Sequence, residues 1–168
     1  MVRTLEILTL ELEDIERATP DLEWRQVGLD FELPSETGVY VMLDADNRVL
    51  YIGMGGGTIG LRGRIALHKG KRREADLEDS LKSLRRTFRG VLSGLSERGA
   101  LLAFALTSEP AKTESMLLAF AVQLTGLQPP LNGQGWDWTD ATIAGSNDAA
   151  TIFDRLYPEW DERRPMRR

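Results

Sequence analysis

The chain has 168 residues, enough for one hydrophobic core and short for two, so we expect a single domain with additions at its ends. It contains no cysteine and one histidine, which excludes disulfides, a thiol nucleophile, a cysteine zinc site and a multi-histidine metal centre. Any metal must therefore be held mainly by oxygen ligands, which favours Mg²⁺ or Mn²⁺. The chain lacks both an apolar run of the roughly 20 residues that cross a bilayer and the pattern of a signal peptide, so we expect a cytoplasmic protein with no membrane partner.

The net charge of -5 argues against a nucleic-acid partner, but the charge is unevenly spread. Residues 60–100 carry eleven basic and five acidic side chains, a net charge of +6, which leaves -11 for the rest of the chain. A basic segment in an acidic protein is suited to bind phosphate, although a solvated helix surface would have the same composition. The candidate nucleic-acid-binding residues are Lys71, Arg72, Arg73, Lys82, Arg85, Arg86 and Arg89.

The first 36 residues are interpreted as an N-terminal extension packed on the core. Residues 3–12 alternate well enough for one strand, and residues 22–33 favour a second strand before Pro34 interrupts. The acidity of this extension could shield a sheet edge or meet a partner, and a solvated surface is the simpler explanation.

The sequence TGVYVMLDADNRVLYIG predicts a β-hairpin with two tyrosines on one face. A four-residue loop over 44–47, rich in turn formers, would pair Leu43 with Arg48 and Tyr40 with Tyr51. Directly opposed residues of an antiparallel pair have Cβ atoms roughly 4.5–5.5 Å apart, so the two phenols could serve one site. A cross-strand pair that only packs would give the same pattern, because tyrosine is favoured in strands.

The rest of the chain predicts helices and one more strand, in an α+β fold. An apolar run from Ala100 has strand length and should be buried. Ser108 as N-cap, with Pro110 in the first turn, starts a helix that runs to about Thr125 and ends at Gly126. In chain order we expect strands over 38–43 and 48–53, a short helix over 61–69, a charged helix over 75–97, the buried strand, the helix to Thr125, a loop and a short helix over 148–157. The result is a small three-stranded antiparallel sheet flanked by helices, with an extra N-terminal strand segment and an inserted charged helix.

The glycine-rich loop after the hairpin matches a dinucleotide-binding pattern. Gly55, Gly57 and Gly60 have the spacing G-x-G-x-x-G. We reject a dinucleotide site, because the preceding strand is the second arm of a hairpin and no second parallel strand follows. The glycines would still permit a close approach of the backbone to a phosphate, or simply form a flexible connection.

Several polar residues become candidates through their position. Arg64 and His68 are four residues apart and share one face of the short helix, whereas Leu61 and Ile65 can pack on the sheet. Each polar residue alone would be an ordinary surface residue.

Two later polar residues are equally ordinary when taken singly. Glu114 lies early in its helix, where a carboxylate commonly serves only to offset the helix dipole. Asn132 is a common type of turn residue.

Taken in series, these positions resemble the GIY-YIG nuclease family. The matching motifs, in order and with acceptable spacing, are Gly38-Val39-Tyr40, Tyr51-Ile52-Gly53, Leu61-x-x-Arg64-x-x-x-His68, Glu114 early in the helix after the third strand, and PPLN ending at Asn132. The resemblance implies a nuclease domain over 37–133, with 1–36 as the N-terminal extension and 134–168 as a C-terminal loop, short helix and basic tail. Two departures are a longer loop before the Arg64 helix and the inserted charged helix.

The resemblance implies a metal-dependent endonuclease that hydrolyses phosphodiester bonds of DNA, either of a restriction or defence type or of low specificity. It implies that Tyr40 is the general base and that Arg64 binds the phosphate and stabilises the phenolate. Glu114 would be the ligand of one Mg²⁺ or Mn²⁺ ion. Tyr51 and His68 would orient water and phosphate, and Asn132 would support the wall of the site.

Two other readings stay open at this point. The same fold could serve as a nucleic-acid-binding module without chemistry. A protein-interaction domain could instead use the acidic N-terminal strand, with the basic stripe as its intramolecular counterpart. The expected partner is DNA, with RNA as an alternative, and a homodimer is expected if both strands of a palindrome are cut.

Overall fold

The structure is a computed structural model that describes residues 6–7, 10–68, 99–126, 129, 132 and 166–167. The helices and strands are β1 (Glu6–Ile7), α1 (Leu12–Ala18), β2 (Arg25–Gly28), β3 (Gly38–Leu43), β4 (Val49–Gly55), α2 (Gly60–His68), β5 (Leu101–Leu106), α3 (Pro110–Thr125) and β6 (Met166–Arg167). The predicted α+β class is confirmed. The helices predicted over 75–97 and 148–157 lie outside the described residues. Of the helices described, none combines the length and apolar character needed to span a membrane.

The main sheet among the described residues has four antiparallel strands, one more than the three predicted. Its order is β2-β5-β3-β4, and β1 pairs with β6 in a separate two-stranded sheet. The fourth strand, β2, comes from the segment 22–33, where a strand was favoured, and it pairs with β5 from Arg25 opposite Phe104 to Gly28 opposite Leu101. The N-terminal segment thus supplies an edge strand to the sheet that carries the tyrosines.

The β3–β4 hairpin forms where it was predicted, but the predicted register is wrong by two residues. Tyr40 pairs with Gly53, and Tyr51 pairs with Met42. Because side chains alternate between the two faces with a period of two residues, this shift leaves Tyr40 and Tyr51 on one face. The two tyrosines are therefore diagonal neighbours rather than direct partners.

The cause of the register error lies at the turn. Leu43 pairs with Val49 rather than with Arg48, and the change of register leaves Leu50 as an extra residue on β4. The carboxylate of Asp44 accepts a hydrogen bond from the Arg48 backbone N–H at 2.9 Å and forms an ion pair with the Arg48 guanidinium at 2.6 Å. These contacts hold Arg48 in the turn, so the loop is longer than the four residues expected.

The helix α1 was not predicted, and of the strand expected over 3–12 the described residues contain only Glu6–Ile7. Asp14 starts the helix by accepting a hydrogen bond from the Glu11 backbone N–H at 2.9 Å, three residues away. Leu12 and Ile15 then turn into the protein and are buried. One cluster of buried residues contains Leu10, Leu12, Ile15, Val41, Leu43, Val49, Ile52, Ala103, Leu117 and Ala121. The N-terminal segment and the sheet therefore share one core.

The helices α2 and α3 cover opposite faces of the sheet. The buried Leu61 and Ile65 of α2 confirm the predicted packing, and the Leu61 side chain lies next to Gly38 of β3. Leu117 of α3 packs in the core cluster with Val41. Since Gly38 and Val41 are three residues apart, they face opposite sides of β3.

The start of α3 differs by one residue from the prediction, and its end agrees. The N-cap is Glu109 rather than Ser108, and Pro110 is the first helical residue. The Glu109 backbone N–H donates to the hydroxyl of Thr107 at 3.2 Å, which fixes the approach to the helix. Gly126 ends the helix with φ 82°, a left-handed conformation that suits glycine.

Replacing Ile15 by alanine tests whether α1 belongs to the core. Ile15 has no exposed surface, so the cavity should lower the free energy of unfolding by about 2–5 kcal/mol in urea denaturation. Glu16→Ala, at an exposed position on the same helix, should change it by less than about 0.5 kcal/mol. Small and equal losses in both variants would show that α1 unfolds separately from the sheet.

Candidate active site

Two phenols and one guanidinium meet on one face of the sheet. Tyr40 from β3 and Tyr51 from β4 have ring centroids 5.9 Å apart and ring planes inclined by 32°. The two hydroxyls are hydrogen-bonded to each other, and the Arg64 side chain from α2 is hydrogen-bonded to both. Three residues that are far apart in the sequence thus form one polar cluster.

The glycines of the two tripeptides make room for this cluster. A Cβ atom on Gly53 would lie 2.5 Å from the Tyr40 hydroxyl and 2.7 Å from the Tyr51 ring, which is too close for any real contact. A Cβ on Gly38 would lie 2.9 Å from the Leu61 side chain and would overlap the β5 backbone. The sequence analysis gave Gly53 no role, although glycine inside a strand is itself a sign of close approach.

Asn132 holds the outer edge of β4 next to Tyr51. Its side-chain oxygen accepts a hydrogen bond from the Ile52 backbone N–H at 2.9 Å, and its side-chain nitrogen donates to the Ile52 carbonyl at 2.8 Å. Among the described strands β4 is at the edge of its sheet. The side-chain amide of Asn132 therefore makes the two backbone hydrogen bonds that a residue of a neighbouring strand would make. These bonds fix the backbone between Tyr51 and Gly53.

The two phenols differ in burial and in proton affinity. Tyr40 has no exposed surface, and burial, with Tyr51 adding to the effect, raises the pKa of Tyr40 well above its ordinary value. Burial also raises the pKa of Tyr51, but the charge of Arg64 and the hydrogen bond from Tyr40 lower it. Tyr40 therefore holds its proton more strongly than Tyr51 does, and its hydroxyl donates to the Tyr51 oxygen. Tyr51 is the phenol that ionises first.

Arg64 is the positive charge in the cluster. Burial lowers the pKa of Arg64, but the charges and hydrogen bonds of the two phenols raise it by more, and the net shift is upward. The side chain remains partly open to solvent. A guanidinium has five N–H donors, so Arg64 can contact both phenols and still have donors for an anion.

Glu114, in the first turns of α3, lies close enough to Arg64 and Tyr51 for their charges to interact. Burial raises the pKa of Glu114, the nearby charge of Arg64 lowers it, and Glu114 in turn raises the pKa of Tyr51. Within the described part of the chain, Glu114 has no hydrogen-bond or ion-pair partner. A partly buried carboxylate without such a partner costs desolvation energy that a bound cation would offset.

The donor set around Glu114 fits a hydrated Mg²⁺ or Mn²⁺ ion. The described residues contain no group of three or more His, Asp or Glu side chains that could hold a metal without help. Mg²⁺ commonly keeps several water ligands and uses one or two carboxylates together with substrate phosphates. A single carboxylate next to a phosphate site is therefore a reasonable anchor.

Other residues predicted for the site have side chains outside the described structure. His68 is the last residue of α2, four residues after Arg64, and only its backbone is described. The residues predicted to bind nucleic acid, Lys71, Arg72, Arg73, Lys82, Arg85, Arg86 and Arg89, all lie between 69 and 98, outside the described ranges.

After the glycine-rich loop, the first N–H groups of α2 are bonded to protein backbone. Gly60 begins α2 with φ 59°, and the next two N–H groups of the helix are engaged. Leu61 donates to the Glu36 carbonyl and Arg62 donates to the Pro34 carbonyl, both at 3.0 Å. The strand before the loop is an antiparallel hairpin arm, so the rejection of a βαβ unit here is confirmed.

Comparisons with known proteins assign no family to this chain. A scan against models of protein families gave no match, and a search of curated proteins gave none either. A functional assignment therefore depends on the site residues and their arrangement.

Gly53→Ala tests the contact that brings the phenols together. The added methyl group must displace the Tyr40 ring, so we expect a loss of about 1–3 kcal/mol in the free energy of unfolding. Gly28→Ala is the matched control, because a Cβ there meets nothing within 4 Å. Urea denaturation measures both variants, and equal stability of the two would contradict the proposed packing.

Proposed function

We propose that the chain is a metal-dependent endonuclease of the GIY-YIG type that hydrolyses phosphodiester bonds of DNA. The observation that carries this proposal is the convergence of Tyr40, Tyr51, Arg64 and Glu114 from four different elements. Two tyrosines that only pack in a sheet need neither an arginine bonded to both hydroxyls nor a carboxylate close enough to change a phenol pKa.

The positive group of the site binds the phosphate in this proposal. Phosphodiester hydrolysis requires an activated water, neutralisation of charge at the phosphate and help for the departing oxygen. Arg64 supplies the charge, and its planar guanidinium can form paired hydrogen bonds with two phosphate oxygens. Its bonds to Tyr40 and Tyr51 hold the side chain in place before the substrate arrives.

Tyr51 is the better general base, in place of Tyr40, to which the sequence resemblance gave that role. Tyr51 retains some exposed surface, whereas Tyr40 is fully buried and cannot meet an attacking water. Arg64 and the hydroxyl of Tyr40 both stabilise the ionised form of Tyr51. Tyr40 is then a positioning residue, because it acts on the water only through Tyr51.

Glu114 is the residue that would hold Mg²⁺ or Mn²⁺. A metal ligand must be ionised, and the charge of Arg64 favours the ionised carboxylate. When bound, the cation would stabilise negative charge on the departing oxygen. The side chain of Asn132, through Ile52, keeps Tyr51 in position relative to this carboxylate.

A nucleic-acid-binding module of the same fold without chemistry is the second candidate. The complete burial of Tyr40 favours it, because a phenol pair with one sealed member can also be a structural element. Incubation of the purified protein with plasmid DNA and Mg²⁺ separates the two candidates, since only the enzyme converts the supercoiled form.

Glu114→Ala should abolish plasmid cleavage, with a loss of at least about 10²-fold. Its binding to DNA in a gel-shift assay with Ca²⁺ should persist, and its stability should not fall, because a partly buried carboxylate has been removed. Glu109→Gln is the control, since this exposed carboxylate at the start of the same helix makes no cap bond. Equal cleavage by the native protein and Glu114→Ala would refute the role of Glu114 as the metal ligand.

The cleavage rate should rise with pH between about 7 and 9. The active form of Tyr51 is the phenolate, and burial raises its pKa above the ordinary value of about 10, so the active fraction should increase about tenfold per pH unit below that pKa. Tyr51→Phe should lower the rate by roughly 10²–10⁴-fold and remove this slope.

Tyr40→Phe distinguishes the two phenols. It removes one hydrogen bond to the phenolate, so the rate should fall by about tenfold while the slope with pH remains. A slope that disappears in Tyr40→Phe and persists in Tyr51→Phe would show that Tyr40 is the base.

A further inference from the structure

A groove lies on the same face of the sheet as the candidate active site and next to it, along β5 and β2. It has a volume of about 590 Å³, and its lining comes from the start of β2, the segment 31–34 and the end of β5. None of the residues that form the tyrosine cluster lines it. The groove therefore borders the tyrosine cluster without sharing a residue with it, because its lining residue Phe104 pairs with Tyr40.

The groove opens where β5 extends beyond β2. Arg25, the first residue of β2, pairs with Phe104, so Leu106 lies past the end of that pairing. On its other side Leu106 pairs with Gly38 of β3. Among the described strands β2 pairs only with β5, which leaves the outer edge of β2 without a neighbour there.

The floor of the groove is apolar, and aromatic contacts hold its side chains in place. Phe31 stacks on Phe104 with centroids 6.3 Å apart and planes inclined by 19°, and the Arg25 guanidinium lies 5.2 Å from the centre of the Phe31 ring. Phe31 and Leu106 remain 37% and 45% exposed, so the groove presents part of both apolar side chains to solvent.

The rim of the groove is negative. Asp21, Glu23 and Glu32 line it with Arg25 as the one basic residue, and Arg25 already contacts the Phe31 ring. Glu32 is 3.4 Å from Arg62 but its side chain is 75% exposed. Within the described ranges, Asp21 and Glu23 form no ion pair. The carboxylates are thus available to a cationic group.

We propose that this groove binds an extended, cationic peptide segment of another protein. An apolar side chain of the peptide covers Phe31 and Leu106, and the lysine or arginine residues next to it meet the carboxylates of the rim. Carboxylates repel phosphates, so the rim is unsuited to the backbone of a nucleic acid. The unpaired ends of β2 and β5 offer backbone groups that such an extended segment could bond.

A short fluorescent peptide of alternating lysine and valine tests the proposal with the full-length protein. Fluorescence anisotropy should show binding, and the same peptide with glutamate in place of lysine should not bind. Glu23→Lys should weaken binding by about fivefold and Leu106→Ser by about tenfold. Glu16→Lys, with the same change in net charge on α1 outside the groove, should bind as the native protein does.

Three results would overturn the proposal. If Glu23→Lys and Glu16→Lys weakened peptide binding equally, the effect would come from net charge alone and not from the groove. Equal binding of the glutamate peptide would show that the rim does not select cations. A dimer that dissociates in Glu23→Lys without peptide, seen by sedimentation velocity, would assign the groove to a second copy of this chain. Anisotropy measures peptide binding without any cleavage step, so this test can fail or succeed independently of the proposed nuclease activity.

Discussion

The contact between the Tyr40 ring and the backbone of Gly53 determines the geometry of the candidate site. Because Gly53 has no side chain, the ring of Tyr40 can lie across β4, and its hydroxyl reaches the neighbouring Tyr51. Arg64 can then bond both oxygens from one side chain on α2. A larger residue at position 53 would separate the phenols, and the common target of the guanidinium would be lost.

Burial gives the two phenols different chemistry although they belong to matching motifs. Burial raises the pKa of both phenols, but for the partly open Tyr51 the charge of Arg64 and the hydrogen bond from Tyr40 offset part of this rise. Two titratable groups with environments that push their pKa values apart are characteristic of sites that move protons.

Local sequence patterns predicted most elements, and the errors came from contacts between distant residues. The hairpin, α2, β5 and α3 all lie within a few residues of their predicted bounds, because apolar periodicity, Pro110 and Gly126 mark them. The register failed because the carboxylate of Asp44 holds Arg48 in the turn. The alternation of apolar and polar residues over 3–12 favoured a strand, so the start of α1 at Leu12 was not predicted.

The sequence motifs brought Tyr40, Tyr51, Arg64 and Glu114 forward as candidates, but they carry no information on how deeply each tyrosine is buried. A motif states which residue types recur at which spacing, whereas the base must also be reachable by water. The access of water to Tyr40 depends on how its neighbours from β4 and α2 cover it, and a local sequence pattern does not encode this burial. The support that Asn132 gives to Ile52, across 80 positions of sequence, is equally a product of the fold.

The described part of the N-terminal extension supports the strand and the helix next to the candidate site. β2 covers the edge of the apolar strand β5, which would otherwise expose unpaired backbone groups. The segment that follows β2 accepts hydrogen bonds from α2: the Arg62 guanidinium donates to the Leu33 carbonyl at 2.9 Å, and its backbone N–H donates to the Pro34 carbonyl at 3.0 Å. Arg64 is two residues further along the same helix. An acidic extension is therefore compatible with a domain expected to bind phosphate. Its backbone carbonyls hold in place the helix that carries the positively charged Arg64.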